Sequence, residues 1–266
     1  MPFFSSFLLG LVQGLTEFLP ISSSGHLVLA SELLNYRSPG LVLETVVHVA
    51  TTLVVIIYFR ARFLAVIKGA IQDADTRWLI LMLGLAFVIT AVIGLALSRT
   101  PILERMFDSP ALTGIMLLIT AVALISVRRL RPPEEAVPPL RITWKVALLV
   151  GLAQGIAIFP GISRSGFTIV AALWGGLSRN SAAEFSFLLS VPTLIAASLF
   201  SLIREPDLSG GDAGGIIVAG VVAFVSGLIA IHWLMRWLRQ GRLWWFSGYC
   251  AVVGAISLAV WGLNLA

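Results

Sequence analysis

The sequence is poor in the residues that stabilise soluble and secreted domains. Only 12% of its 266 residues are charged, and it has a single cysteine, Cys250. Soluble domains are about a quarter charged, so this composition excludes an ordinary water-soluble protein. One cysteine makes no internal disulfide, which excludes a disulfide-stabilised secreted scaffold. The first residues offer neither a basic segment nor a cleavage site, so we expect them to belong to the mature fold rather than to a signal peptide.

Long apolar runs take the place of charge. Hydrophobic residues make up 58% of the chain, and the runs 78–98 and 213–231 contain no charged residue. Runs of this kind approach or exceed the roughly 18 to 20 residues that a membrane-spanning helix needs. The pattern predicts an all-α, polytopic membrane protein with six spanning helices, at about 41–59, 78–98, 110–127, 184–203, 213–235 and 244–265.

One sixteen-residue segment occurs twice. Residues 10–25 (GLVQGLTEFLPISSSG) align without a gap with residues 151–166 (GLAQGIAIFPGISRSG), at a constant offset of 141, and nine of the sixteen positions are identical. Proline and glycine interrupt each copy, and the pieces are too short to cross a membrane. A broken helix at membrane depth must be sheltered by protein or by a cavity. The sequence therefore predicts two re-entrant helical hairpins, at 3–35 and 142–176, interrupted by Pro20 and Gly25 and by Pro160, Gly161 and Gly166.

The segment 128–141, with four prolines and six charges, divides the chain into the halves 1–127 and 142–266 of one integrated domain. A re-entrant hairpin and three spans give each half an odd number of crossings, so we expect an inverted repeat of the kind found in many transporters. Thirteen of the 18 Lys and Arg residues fall on the side of this linker, and four fall on the other side. The positive-inside rule makes the linker cytoplasmic, and it places both termini and the mouth of the first hairpin outside.

Polar residues in the first copy form a candidate catalytic set. Gln13 and Glu17 are four residues apart and therefore share one face of a half-helix. The next half-helix opens with Ser22, Ser23 and Ser24, at an N-terminus of the kind that binds anions. His26 is three residues beyond Ser23, which predicts that the two side chains lie on one face within hydrogen-bond reach.

The second copy supplies a complementary, cationic set. Its half-helix begins around Arg164, a side chain suited to bidentate phosphate contacts. We expect it to bind a diphosphate together with four neighbours: Gly161, Ser163, Ser165 and Thr168. Serines in membrane helices often serve only as caps, whereas buried ionisable groups such as Glu17, His26 and Arg164 are expensive and usually functional.

Two further polar residues lie on the first predicted span. Glu44 and His48 are four residues apart and share a face. They either hydrogen-bond to each other, or they contact Glu17 or His26 and fix the orientation of that side chain.

The net charge of +5 does not indicate nucleic acid. In a membrane protein a positive charge reports a bias in the cytoplasmic loops, and no soluble segment is available to carry a nucleic-acid site. A purely structural subunit would leave Glu17 and Arg164 unexplained. A transporter or flippase remains the competing class, since inverted broken helices also build transporters.

With these residues assembled, the chain resembles the undecaprenyl-diphosphate phosphatase family, the UppP or BacA type. The family's first motif, (E/Q)-x-x-x-E followed by F-L-P-[IV]-S-S-[ST]-G-H, is matched from Gln13 to His26. Its second motif, P-G-x-S-R-S-x-x-T, is matched from Pro160 to Thr168. The resemblance runs the whole length, because Glu44 and His48 fit the family's first span and 179–192 is typical of the stretch after the second motif.

The resemblance implies hydrolysis of the terminal phosphate of undecaprenyl (polyprenyl) diphosphate at the outer face of the cytoplasmic membrane. That reaction recycles the lipid carrier of cell-wall synthesis and confers resistance to bacitracin, which competes for the lipid substrate. It also implies a divalent cation, Mg²⁺ or Ca²⁺, at Glu17 with Gln13. Many members carry Glu where this chain has Gln13, which puts a site of two carboxylates in doubt. Membrane lipids surround the protein, and a homodimer is left open.

Two routes for the chemistry remain open from the sequence. Ser23 attacks the phosphorus with His26 as its base, or a metal-activated water attacks directly. The sequence does not choose between them, and it does not fix the chain length of the lipid.

Overall fold

The structure, a computed structural model, describes residues 3–33, 41–133, 142–204 and 213–262. Within these ranges the chain is helical and has no β-strand, which confirms the predicted all-α class. Three predicted features lie partly outside the described residues: the end of the first hairpin, most of the linker, and the last residues of the sixth span. The helices are α1 (Phe3–Phe18), α2 (Ser23–Leu33), α3 (Leu41–Tyr58), α4 (Arg60–Gln72), α5 (Ala74–Leu97), α6 (Pro101–Phe107), α7 (Pro110–Ser126), α8 (Trp144–Ile156), α9 (Arg164–Trp174), α10 (Arg179–Arg204), α11 (Ala213–Arg239) and α12 (Trp245–Trp261).

Helices long and apolar enough to cross a membrane make this a multi-pass membrane protein. Four such helices occur in the described ranges, at Ala74–Leu97, Pro110–Arg129, Arg179–Ile203 and Ala213–Arg239. They coincide with the predicted spans at 78–98, 110–127, 184–203 and 213–235. The last predicted span corresponds to α12, an apolar helix of 17 residues.

The first predicted span continues into a helix that the sequence did not predict. Val42–Tyr58 and Arg60–Gln72 form a pair bent by 74° at a short break. The second member, α4, has no buried residue and carries Arg60, Arg62 and Lys68. Arg62 forms an ion pair with Glu184, which ties α4 to α10. Hydropathy predicts the end of this span at the first arginine, Arg60. The segment that follows is charged and gives no hydropathy signal, so the sequence did not predict α4.

Both repeated segments are broken helices, as predicted. The chain leaves the helical conformation between α1 and α2 and again between α8 and α9, and none of the four helices exceeds 16 residues. The prediction that Gly25 and Gly166 help to break the helices is wrong, because both glycines lie inside helices. They serve close contact instead: a Cβ on Gly25 would lie 2.9 Å from the Cα of Gly161, and one on Gly166 would lie 3.1 Å from the Cβ of Pro20. The re-entrant path and the inversion of the halves stay predictions.

Small residues let the short helices pack closely against spanning ones. A Cβ on Gly10 of α1 would lie 2.4 Å from the carbonyl oxygen of Ala219 in α11. A Cβ on Gly151 of α8 would lie 2.8 Å from the carbonyl oxygen of Ala86 in α5. Contacts of this kind are a usual way to join helices where lipid offers no hydrophobic driving force. Gly10 and Gly151 are equivalent positions of the repeat. The broken helix of each half therefore packs against a spanning helix of the other half.

Candidate active site

The first break places a strained serine between α1 and α2. Ser22 has a φ of 69°, a left-handed conformation that residues other than glycine rarely adopt. Its hydroxyl accepts the N–H of Gly25 at 3.2 Å, which caps α2. The same hydroxyl accepts the N–H of Gly161 at 3.0 Å. The first break is therefore attached directly to the second.

The second break is held by α7. Thr120 donates to the carbonyl of Gly161 at 2.8 Å and accepts the N–H of Ser163 at 3.1 Å. Gly161 has a φ of 96°, where a side chain would be strained. Ser163 caps α9 by accepting the N–H of Gly166 at 3.1 Å. These bonds fix the backbone just before Arg164, the first residue of α9.

A buried ion pair joins the two copies of the repeat. Arg164 Nη2 donates to Glu17 Oε1 at 2.6 Å, with side-chain exposures of 15% and 4%. Both charges lie where solvation by water is weak, so each is the principal partner of the other. Two of the three residues that the cost of burying charge marked as functional are thus in contact.

The second carboxylate oxygen of Glu17 accepts hydrogen bonds from two side chains of the first copy. Ser23 donates its hydroxyl to Glu17 Oε2 at 2.6 Å. Gln13 Nε2 donates to the same oxygen at 2.9 Å. The structure therefore places Glu17 at the centre of the site, with Ser23, Gln13 and Arg164 around it.

Two buried polar atoms of this cluster have no hydrogen-bond partner. They are Gln13 Oε1 and Arg164 Nη1. Leaving a polar atom buried and unpaired costs about 1 to 3 kcal/mol, and more for a charged group. The guanidinium N–H suits an oxyanion, and the amide oxygen suits a cation or a hydrogen-bond donor. A ligand that carries an oxyanion, together with a cation or a hydrogen-bond donor, would pair both buried atoms.

His26 does not lie where the sequence predicted it. Its Nδ1 lies 2.8 Å from the carbonyl oxygen of Ser22, and its Nε2 lies 2.8 Å from the hydroxyl of Tyr249. Both ring nitrogens are occupied, while Ser23 donates to Glu17, so the predicted pairing of Ser23 with His26 is wrong. The left-handed turn at Ser22 directs its carbonyl toward the imidazole and leaves Ser23 facing α1.

The remaining predicted binding residues mostly complete the backbone turns. Ser22 and Ser24 have hydroxyls 3.4 Å apart, and those of Ser163 and Ser165 are 3.3 Å apart. Thr168 is fully buried, and its hydroxyl donates to the carbonyl of Arg164 at 2.7 Å. The same hydroxyl lies 2.6 Å from the hydroxyl of Ser186 in α10, a residue that sequence reasoning missed. Thr168 therefore connects the first turn of α9 to α10.

Glu44 and His48 do not hydrogen-bond to Glu17 or His26. The Nδ1 of His48 lies 2.7 Å from the backbone carbonyl oxygen of Glu44, and the Glu44 side chain is exposed. His48 nevertheless interacts electrostatically with Glu17. A supporting role for His48 therefore stays a prediction.

A metal site built from protein alone is not found in the described part of the chain, which has no group of three or more His, Cys, Asp or Glu side chains placed to hold an ion. Mg²⁺ is characteristically bound through one or two carboxylates together with substrate phosphates. Glu17 and the unpaired Oε1 of Gln13 fit that smaller set. A phosphate-bearing ligand would have to supply the remaining oxygens of such a site.

The sequence did not reveal three residues of the site, which are Tyr249, Thr120 and Ser186. Tyr249 offers one signal, since a tyrosine in an apolar helix usually finds a partner for its hydroxyl. Thr120 and Ser186 offer none, because a hydroxyl in a membrane helix most often bonds within its own helix.

The fold and the site together define a class: multi-pass membrane proteins whose broken helices meet at a buried polar centre. Within that class, the chain belongs to the family described as bacitracin resistance protein BacA, whose family model matches residues 6–256.

Relatives of similar length support this assignment. The undecaprenyl-diphosphatase of Desulfatibacillum aliphaticivorans is 40% identical over 94% of this chain and 96% of its own length. The undecaprenyl-diphosphatase of Korarchaeum cryptofilum is 42% identical over 95% and 97%, respectively. That of Carboxydothermus hydrogenoformans is 39% identical over 97% of both chains.

Proposed function

We propose that this protein hydrolyses undecaprenyl diphosphate to undecaprenyl monophosphate and inorganic phosphate. The observation that carries the proposal is the contact series Ser23–Glu17–Arg164, in which a hydroxyl, a carboxylate and a guanidinium meet in the interior of the protein. Phosphoanhydride cleavage needs a nucleophile, an acceptor for its proton and a cation for the transferring phosphoryl group. The names of the relatives support the same activity.

Substrate binding rests on Arg164 and the two helix starts. The unpaired Nη1 donates to a phosphate oxygen, and the helix dipoles add positive potential at the starts of α2 and α9. The substrate then competes with Glu17 for the guanidinium. As that ion pair weakens, the carboxylate becomes a better proton acceptor for the hydroxyl it already contacts.

Ser23 is the proposed nucleophile. Its oxygen attacks the terminal phosphorus, its proton passes to Glu17 Oε2, and the bond from phosphorus to the bridging oxygen breaks. Undecaprenyl monophosphate leaves with the electron pair of that bond, and the phosphoryl group stays on Ser23. Glu17 passes its proton on to the departing monophosphate. Water then attacks the phosphoserine, and the bond from phosphorus to the Ser23 oxygen breaks. The proton that water gives up passes through Glu17 to the Ser23 oxygen, and inorganic phosphate is released. The alternative is direct attack by water, with Ser23 only orienting it.

A divalent cation is a further part of the proposal. Glu17, with Gln13 supplying an amide oxygen, would hold Mg²⁺ or Ca²⁺ together with the substrate phosphates. Such a cation neutralises charge that develops on the phosphoryl oxygens.

The cellular setting follows from the same chemistry. We propose that the site opens to the outer side of the cytoplasmic membrane, in keeping with the thirteen positive residues on the linker side. Hydrolysis there returns the monophosphate carrier to cell-wall synthesis. It also consumes the diphosphate that bacitracin binds, which accounts for resistance. The two halves would be inverted relative to each other.

Phosphate release by the purified protein tests the proposal. Wild type in detergent is expected to release phosphate from undecaprenyl and farnesyl diphosphate, and Glu17→Ala and Arg164→Ala should each lose at least about a hundredfold in kcat/KM. Arg62→Ala is the matched control, since it breaks a second ion pair, on α4 and away from the repeated segments. If wild type released no phosphate, or if both site variants matched the control, the proposal would fail.

A further inference from the structure

Ser22 is the point at which three elements meet. Its hydroxyl binds the N–H of Gly161 in the second break, as described above. Its carbonyl accepts the backbone N–H of His26 at 3.1 Å and lies 2.8 Å from His26 Nδ1. The residue adopts a left-handed conformation, which persists in a non-glycine residue only where neighbouring contacts hold it. The imidazole is one of those contacts.

The Ser22 carbonyl determines the tautomer of His26. A carbonyl only accepts hydrogen bonds, so Nδ1 must carry the proton, and in the neutral ring Nε2 is left as an acceptor. Tyr249 therefore donates its hydroxyl to Nε2 across 2.8 Å. The two rings are also stacked, with centroids 5.6 Å apart and an interplanar angle of 12°.

The helix that carries Tyr249 touches the first break at consecutive residues. Next to Tyr249, the thiol of Cys250 donates to the carbonyl of Pro20 at 3.6 Å. Cys250 thus links α12 to the break itself, and Tyr249 links it to the first turn of α2.

We infer that Tyr249 is a positioning residue that acts through His26. Its hydroxyl and ring hold the imidazole so that Nδ1 binds the Ser22 carbonyl and keeps the left-handed turn in place. That turn aims Ser23 at Glu17 and keeps the Ser22 hydroxyl on Gly161, so the two breaks stay in register. The inference rests on the proposed function of the site, and it makes His26 a structural support for Ser23 instead of its base.

Two variants of His26 separate support from proton transfer. The side-chain N–H of Asn reaches about where Nδ1 lies, whereas that of Gln reaches about where Nε2 lies. His26→Asn keeps the bond to the Ser22 carbonyl and gives up the contact with Tyr249, so we expect kcat to fall about tenfold, while His26→Gln and His26→Ala lose about a hundredfold. If His26→Asn were as inactive as His26→Ala, the imidazole itself would take part in the chemistry and the inference would be overturned.

Tyr249→Phe keeps the stacked ring and removes the hydroxyl. We expect kcat to fall about tenfold with little change in KM, because substrate contacts stay and only alignment suffers. In the His26→Asn background the same change is expected to have no further effect, since no ring nitrogen remains to receive the hydroxyl. Unchanged kcat in the single variant, or fully additive losses in the double variant, would contradict the inference.

NMR of ring-labelled histidine tests the contact without any assay of activity. The His26 signal, assigned by its loss in His26→Asn, should show the proton on Nδ1 and a hydrogen-bonded Nε2, and Tyr249→Phe should remove the signature at Nε2. A proton on Nε2 in wild type would overturn the inference. Absence of phosphate release with this signature intact would instead count against the proposed function alone.

Discussion

Arg164 Nη2 lies 2.6 Å from Glu17 Oε1, although 147 positions of the chain separate the two residues. Each comes from a position at which the two copies of the repeat differ, since Ile158 is the counterpart of Glu17 and Ser23 is the counterpart of Arg164. The duplicated frame thus brings two helix breaks together, and the differences between the copies place opposite charges across the contact. Neither copy contains the complete site.

The ion pair predicts a non-additive effect on stability. Removing one partner leaves a buried charge, so Glu17→Ala and Arg164→Ala should each destabilise the protein by about 3 to 5 kcal/mol. The double variant should be less destabilised than the sum, because no unpaired charge remains. Thermal unfolding in detergent measures all three, and losses that simply add would show that the two side chains do not interact.

The contact between the breaks predicts that one glycine tolerates no methyl group. Gly25→Ala would push a Cβ to 2.9 Å from the Cα of Gly161, so we expect the breaks to separate and kcat to fall by at least about tenfold. Gly84→Ala, in α5 with nothing within 4 Å of its Cβ, is the matched control. There alanine should be neutral or stabilising by up to about 1 kcal/mol through helix propensity. Equal activity in the two variants would refute close packing of the breaks.

Gln13 and Gln154 occupy equivalent positions of the repeat, and we expect only the first to affect the dependence of activity on a cation. Gln13 contacts Glu17, whereas Gln154 donates to the hydroxyls of Thr193 at 3.0 Å and Thr90 at 3.3 Å. Gln13→Ala is expected to raise the Mg²⁺ or Ca²⁺ concentration needed for half-maximal phosphate release by about tenfold. A loss of about tenfold in metal affinity is the lower end of what removing a supporting group usually causes. Gln154→Ala should leave that concentration unchanged. A shift in both variants or in neither would argue against a cation held by Gln13.

The route of the reaction is decided at Ser23. A covalent step predicts that acid quenching during turnover traps a phosphoserine at Ser23, and that Ser23→Ala loses at least about a thousandfold in kcat. Ser24→Ala, whose hydroxyl lies near Ser22 and not near Glu17, is expected to keep most of the activity. Near-normal turnover by Ser23→Ala would favour direct attack by water.

Much of the fold and the centre of the site follow from residue chemistry. Proline at position 20 and the Pro160–Gly161 pair interrupt apolar helices, which predicts both breaks. The cost of burying charge then identifies Glu17 and Arg164. The bend into α4 was missed because Arg60 ends the hydropathy signal while the helical conformation resumes at a new angle.

The partner of Ser23 could not be predicted from sequence. Which group a hydroxyl faces depends here on the positive φ of Ser22, and nothing in a run of three serines indicates which one adopts it. The partner of His26 was also hidden, since Tyr249 lies 223 positions away and on another helix.

Undecaprenyl diphosphate radiolabelled in its terminal phosphate tests the central claim most directly. Purified wild-type protein should release the label as inorganic phosphate and leave unlabelled monophosphate lipid, and Arg164→Ala should not do so although Arg62→Ala does. Label that stays in the lipid with wild type, or is released by Arg164→Ala at the wild-type rate, would contradict the account.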